Sequence, residues 1–291
     1  MRTAAIIGTR SMLGSQLVAR LRNMGVETIS VGRAETDDIF LDMAGGAAKV
    51  PDGLTADVLF HCAASFADDS PSGIQQNFSA NTASALNVAE LAKRLQTEAV
   101  IYAGSLSSDA TLDAAPLTSY GLTKQLAEQI LEWSSQKQGF RFCSLRFSQL
   151  YDVSGRCCAH QPWMGRIIAY ASRGLDLRMP ASHGVRNFLH VQDAADMMIR
   201  AAETGTSGVR NAVHTEAMTC DRIAEIAYET FGLGGNVVIA AEKAPFRKVN
   251  FPDGAETLSR LGMAPLVTMR DGIAMIKSAG TAEAFGPMDV N

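Results

Sequence analysis

Short apolar runs alternate with longer stretches of helical period through the first half of the chain. Runs at Thr3-Ile7, Thr28-Val31, Val58-His61, Ala99-Ala103 and Arg141-Phe147 have the length and β-branched texture of buried strands. Between them, Leu13-Met24, Ile74-Gln96 and Ser119-Gln138 repeat apolar residues three and four apart, the period of an amphipathic helix. Strand, helix, strand in that order predicts βαβ units and a parallel, doubly wound α/β sheet. After about residue 151 loops rich in Gly, Pro, Arg and His separate shorter helical stretches at Trp163-Arg173, Val191-Thr204 and Cys220-Phe231. The expected organisation is a first domain over 1-150 and a smaller lobe over 151-291, with some of its segments returning to the first domain. The residues from Gly280 to Asn291 read as a loose tail.

Composition supports this picture and removes several functions from it. With 291 residues, 47% hydrophobic and 19% charged, the chain is globular and has ample material for a core. A net charge of -4 provides no basic field for nucleic acid or an anionic membrane. The apolar run at Ala4-Ile7 is too short for a signal peptide, and no stretch approaches the about 18 apolar residues of a membrane span, so a cytoplasmic location is expected. Five cysteines without a CxxC pair argue against a disulfide framework and a zinc site; adjacent Cys157 and Cys158 fall in a predicted loop. No metal is expected.

Three motifs carry chemistry. Gly8-Thr9-Arg10-Ser11-Met12-Leu13-Gly14 follows a strand and opens a helix, where glycines permit a tight turn and helix amides hold a dinucleotide pyrophosphate. Ser11 stands where the middle glycine is usual. The second strand ends Ser30-Val31-Gly32-Arg33, without the acid that would meet the ribose hydroxyls of NAD, unless Glu35 supplies it. Arg10 and Arg33 suit a 2′-phosphate, since guanidinium groups bind phosphate through paired charge-assisted bonds, so NADP(H) is the expected cofactor and NAD(H) the alternative. Finally, Tyr120 and Lys124 lie four apart on one helix face, where an ammonium group would lower a phenol from its ordinary value of about 10 toward use as a general acid/base.

In this order the motifs resemble the extended short-chain dehydrogenase/reductase family of nucleotide-sugar epimerases, dehydratases and 4-ketoreductases. Further segments carry the likeness: Asp57-Val58-Leu59-Phe60-His61-Cys62-Ala63-Ala64, the helix bearing Asn81, Arg146 with Tyr151, Arg186-Asn187-Phe188-Leu189-His190-Val191-Gln192-Asp193, and Leu261-Gly262-Met263-Ala264-Pro265. The resemblance implies a Rossmann-type sheet with a C-terminal substrate-binding lobe. It implies cofactor contacts at Gly8, Arg10, Ser11, Met12, Leu13, Gly14, Arg33, Asp42, Met43, Ala63, Ala64, Ser65, Asn81, Tyr120, Lys124, Phe147 and Gln149. Tyr120 and Lys124 then match the family's catalytic pair. Ser105 is the expected third member, with Ser107 and Ser108 as rivals, and Ser65, Phe66, Ser105, Tyr120 and Arg186 are the expected substrate contacts. His190 and Asp193 read as scaffolding of the second lobe.

The resemblance leaves the reaction to be chosen. Dehydration is disfavoured because Ser105-Leu106-Ser107-Ser108 lacks an Asp-Glu pair. The arginines favour an NADPH-dependent reductase of a nucleotide-linked 4-keto-6-deoxysugar, with an NAD-dependent nucleotide-sugar epimerase as the alternative. A non-catalytic NADP-binding regulator is the reading from another class, disfavoured by the presence of both Tyr120 and Lys124. The family also implies a homodimer through the helices of Asn81 and Tyr120, with Leu122, Ala127, Ile130 and Leu131 as apolar surface.

Overall fold

The computed structural model describes residues 1–46, 48–112, 115–246, 248–263 and 266–288. The first elements are β1 (Thr3–Ile7), α1 (Met12–Asn23), β2 (Glu27–Gly32), β3 (Ile39–Phe40), β4 (Val58–His61) and α2 (Pro71–Asn77). A π-turn (Phe78–Ala83) leads into α3 (Ser84–Arg94), followed by β5 (Ala99–Ser105), α4 (Ser119–Gln138) and β6 (Arg141–Phe147). The remainder comprises β7 (Gln149–Tyr151), α5 (Pro162–Ala171), β8 (Leu177–Met179), β9 (Phe188–His190), α6 (Val191–Glu203) and β10 (Gly208–Ala212). It ends with α7 (Cys220–Phe231), β11 (Val237–Ile239), α8 (Ala255–Leu261) and α9 (Met269–Ala279).

Contacts divide the chain into two compact units: Met1–Phe147 with Ala194–Ala212 and Ala255–Ala264, and Ser148–Asp193 with Val213–Gly254 and Pro265–Asn291. The first unit holds a seven-stranded sheet in the order β3-β2-β1-β4-β5-β6-β10. All its pairings are parallel, with Ile7 opposite both Val31 and His61 and with Ser105 opposite Phe147. Strands covered on both faces must be apolar throughout. Accordingly Ala4 to Ile7 and all of β4 are buried. Ile7, Val31, Leu59 and Val100 pack with Val88 and Leu91 of α3 and Ala127 and Leu131 of α4. The strand order reverses between β1 and β4, and an open α/β sheet binds ligands beyond the carboxyl ends at that point.

The second unit pairs β7 with β9 and β8 with β11. The Tyr151 ring packs edge-on against Phe188 and His190, and the Asp193 carboxylate accepts from the Val267 amide at 2.8 Å. The expectation of a loose tail needs correction, because Phe285 is buried just after a short 3₁₀ turn.

Two predicted elements also change. The single helix expected over Ile74-Gln96 is interrupted by the π-turn, and β5 runs two residues past Ala103, so Ser105 ends the strand instead of following it. Of the predicted motif Leu261-Gly262-Met263-Ala264-Pro265, the last two residues lie outside the described ones.

Candidate active site

At the carboxyl end of β1 the backbone turns sharply into α1. Gly8 has φ +87°, in the left-handed region, and a Cβ there would come within 3.0 Å of Ala63. A Cβ on Gly14 would collide with the Gly8 carbonyl, so the first helical turn lies directly on the strand. Ser11, in the middle-glycine position, is the helix N-cap; its hydroxyl accepts from the Gly14 amide at 2.9 Å. Met12 and Leu13 therefore fall in the first turn, where amides and macrodipole favour an anion.

This turn borders a cavity of about 560 Å³. Its wall includes Gly8, Arg10, Arg33, Asp42, Met43, Ala63, Ala64 and Ser65, all expected from the sequence, and also Ser72, Gln75, Gln76, Ser79 and Ala80 from α2 and the π-turn, which were not. The close strand-helix approach, the helix N-terminus and the cavity volume fit a dinucleotide.

The two arginines behave differently. Arg10 donates to Asp37 through two parallel bonds of 3.0 and 2.7 Å, and Asp37 also accepts the Ala34 amide at 2.9 Å. The hydrogen bond from Arg10 holds the Asp37 carboxyl below its ordinary value, and Asp37 raises the guanidinium. Arg10 is thus not an uncommitted cation awaiting a 2′-phosphate, which corrects the expectation. The acids beside the second strand are Asp37 and Asp38, not Glu35: a Cβ on Gly32 would meet Asp37 Oδ2 at 2.5 Å, and Asp38 accepts from the Ser30 amide at 2.8 Å. The turn that brings Asp37 back, closed by its amide donating to the Ala34 carbonyl, could not be counted from the strand end.

The second cluster lies where α4 meets β5. Thr118 caps α4 through the Gly121 amide at 3.2 Å, placing Tyr120 in the first turn. Of the three candidate serines, Ser105 is the one whose hydroxyl opposes the rise of the Tyr120 phenol. Ser107 is exposed, and Ser108 is buried with its carbonyl accepting from Gln125. Lys124 is buried; its Nζ donates to the Ala103 carbonyl at 2.7 Å and lies 3.9 Å from the Tyr102 ring centroid. Burial lowers Lys124 to about 7 against the opposing field of Glu128. Tyr120 is raised by burial, an effect the Ser105 hydrogen bond partly offsets. Here the expectation is corrected in direction: Lys124 turns toward the strand, and the phenol stands above its ordinary value instead of below it.

Asn81 has a different task from the expected cofactor contact. Its Oδ1 accepts from the Ser65 amide at 2.8 Å, while its Nδ2 donates to the Ser65 carbonyl and Thr123 Oγ1. Asn77, four residues earlier and missed from the sequence, binds Ser65, Ala67 and Ser119 in the same manner. The pair fastens the loop after β4 to α4, and Phe66 of that loop packs edge-on against the Tyr120 ring at 4.4 Å. The i, i+4 spacing of the asparagines was the available signal.

Phe147 is buried opposite Ser105 in the sheet of the first unit. Gln149 and Arg186 belong to the second unit. There Gln149 donates to Gln161 at 2.8 Å, and Arg186 lies 5.6 Å from the Phe246 ring.

The model of the NAD dependent epimerase/dehydratase family matches residues 4–214. The chain belongs to that family. Among solved structures of similar fold is UDP-N-acetylglucosamine 4-epimerase from Bacillus cereus, 22% identical, with a TM-score of 0.77 over 100% of this chain and 99% of that one. UDP-glucose 4-epimerase of Thermus thermophilus, solved with NAD, is 19% identical with a TM-score of 0.70 over 95% and 98%. UDP-N-acetylglucosamine 4-epimerase from Methanobrevibacter ruminantium M1, solved with UDP-N-acetylmuramic acid, is 16% identical with a TM-score of 0.74 over 96% and 99%. No curated protein matches at a significant level. The glycine turn and the cavity beyond β1 and β4 lie within the residues that the family model matches.

Proposed function

We propose that this protein is an NAD-dependent epimerase acting on a secondary alcohol of a nucleotide-linked sugar. The observation that carries the choice of NAD is the bidentate hold of Asp37 on Arg10 in the cavity wall, which neutralises the cation a 2′-phosphate would need. The choice of epimerisation is supported by the 4-epimerases that share the fold. When bound, a nicotinamide dinucleotide supplies a hydride acceptor that can return the hydride.

Gly8, Ser11, Met12, Leu13 and Gly14 would hold the pyrophosphate, with Asp42 and Met43 toward the adenosine end and Ala63, Ala64 and Ser65 along the backbone. Burial keeps the resting Tyr120 phenol protonated, so it donates to a developing alkoxide. The Ser105 hydroxyl polarises the same oxygen and, with the charge of Lys124, favours the phenolate required in the oxidative direction. Phe66, edge-on to the Tyr120 ring, would flank the sugar.

Arg33, in the same wall as Arg10, favours a second reading, NADPH-dependent reduction of a nucleotide-linked keto-sugar. For the homodimer, exposed Phe78, Leu86, Leu122 and Trp133 on the π-turn, α3 and α4 provide the apolar surface. Ala127 and Leu131 are spent in the core.

Incubating the protein and NAD with UDP-glucose or UDP-N-acetylglucosamine, followed by proton NMR at the sugar C4 position, tests the reading. Interconversion of epimers without net cofactor consumption is expected, with Tyr120→Phe lowering the rate about 10²- to 10⁴-fold. Net NADPH oxidation by a 4-keto-sugar without epimer exchange would establish the reductase; stoichiometric cofactor binding with no turnover would establish the regulator.

A further inference from the structure

One helical turn from Lys124 on α4 lies a buried carboxylate that the reaction scheme does not use. It belongs to Glu128, whose side chain is 2% exposed. Its Oε1 accepts from the Ser144 hydroxyl at 2.6 Å, and both its oxygens accept from Arg146, the shortest bond being 2.7 Å from Nη2. Ser144 and Arg146 belong to β6, so the carboxylate joins α4 to the sheet. It passes so close to β5 that a Cβ on Gly104, the residue before Ser105, would lie 2.8 Å from Oε1 and collide with the Ser144 hydroxyl. Arg146 also faces Asp109 at 3.6 Å.

We propose that Glu128 is a positioning residue, fixing the face of α4 that bears Tyr120 and Lys124 against Ser105 and placing a carboxylate one helical turn from the Lys124 amine. The assignment rests on the catalytic roles proposed above for Tyr120 and Lys124. A carboxylate is needed because Lys124 is held in an apolar setting. Facing it are His61 and Cys62 of β4, Tyr102 of β5, Tyr120 and Glu128 of its own helix, and, beyond Glu128, the guanidinium of Arg146 with Asp109. His61 is buried and held neutral at about 3, and burial pushes the Cys62 thiol up to about 12, so neither carries charge near neutral pH. Tyr102 is pushed up as well. The field of Glu128 then opposes the desolvation that drives Lys124 toward its neutral form.

The sign follows directly. Removing the carboxylate favours neutral Lys124, so its titration midpoint falls and activity is lost from a lower pH on the alkaline side. The experiment follows the lysine ε-carbon NMR shift through a pH titration of the cofactor-free protein, with the Lys124 signal identified by its absence in Lys124→Arg. Glu128→Gln should lower the midpoint by about one pH unit. The double variant Glu128→Met with Arg146→Met removes both charges with apolar side chains, a change buried pairs often tolerate; it should lower the midpoint too, though less. An unmoved or raised midpoint in the folded double variant overturns the proposal, whatever the fate of Glu128→Gln. Because the titration needs neither cofactor nor substrate, a lowered midpoint in a protein without epimerase activity would overturn the functional reading and leave the role of Glu128 standing. If activity is present, its alkaline limb should move with the midpoint; a uniform fall in kcat at every pH would reduce Glu128 to a structural tie.

Discussion

Arg10 with Asp37 and Arg146 with Glu128 are the same chemical pair in different surroundings. Both close at 2.7 Å, but the Arg10 side chain is 60% exposed and that of Arg146 16%. In the first pair Arg10 lines the cavity and is open to water, while the Asp37 carboxylate that holds it is 2% exposed. The second is enclosed by α4, β5 and β6, where an uncompensated charge has nowhere to be solvated. The pair with the exposed arginine is therefore suited to meeting a ligand, and the buried pair to holding α4 against the sheet.

Breaking the buried pair should have the largest effect. Glu128→Ala leaves Arg146 and Ser144 without their acceptor and should cost about 3–5 kcal/mol in denaturant unfolding. Next comes the turn that frames the Arg10 pair: Gly8→Ala forces a Cβ into a left-handed backbone and against Ala63, costing about 1–2 kcal/mol and weakening dinucleotide affinity measured by calorimetry. Asp37→Asn should spare the fold while releasing Arg10, raising affinity for 2′-phospho-ADP-ribose relative to ADP-ribose by about tenfold, as one charge-assisted bond warrants. An unchanged ratio would show that Asp37 does not set the choice of cofactor. The smallest effect is expected for Arg10→Ala, which should leave the thermal midpoint where it is; a clear loss of stability would make the two pairs alike.

Much of the first unit was legible along the chain. β1, β4, β6 and α4, and α7 in the second unit, begin and end where the apolar pattern places them, because a strand covered on both faces and a helix with one buried face each impose a period on the sequence. The Gly8-Gly14 turn and the Tyr120-Lys124 spacing were legible for a related reason, since both are local. The break in the helix over Ile74-Gln96 was not: Asn77 and Asn81 turn their amides to the loop after β4 and to α4, partners at sequence separations from 10 to 42 residues. Short strands such as β3, with two residues, offer too little pattern to be seen.

What the amino-acid sequence alone determined is the parallel α/β sheet, the glycine turn after β1 and the placing of Tyr120 and Lys124 on one helix face, each set by glycine geometry or by spacing within one element. The tertiary structure decided the electrostatics. Which anion Arg10 meets, which serine reaches Tyr120, and whether Lys124 is charged depend on groups that folding brings from distant positions into places with little water. At those distances burial and a single hydrogen-bond partner outweigh anything encoded in neighbouring residues.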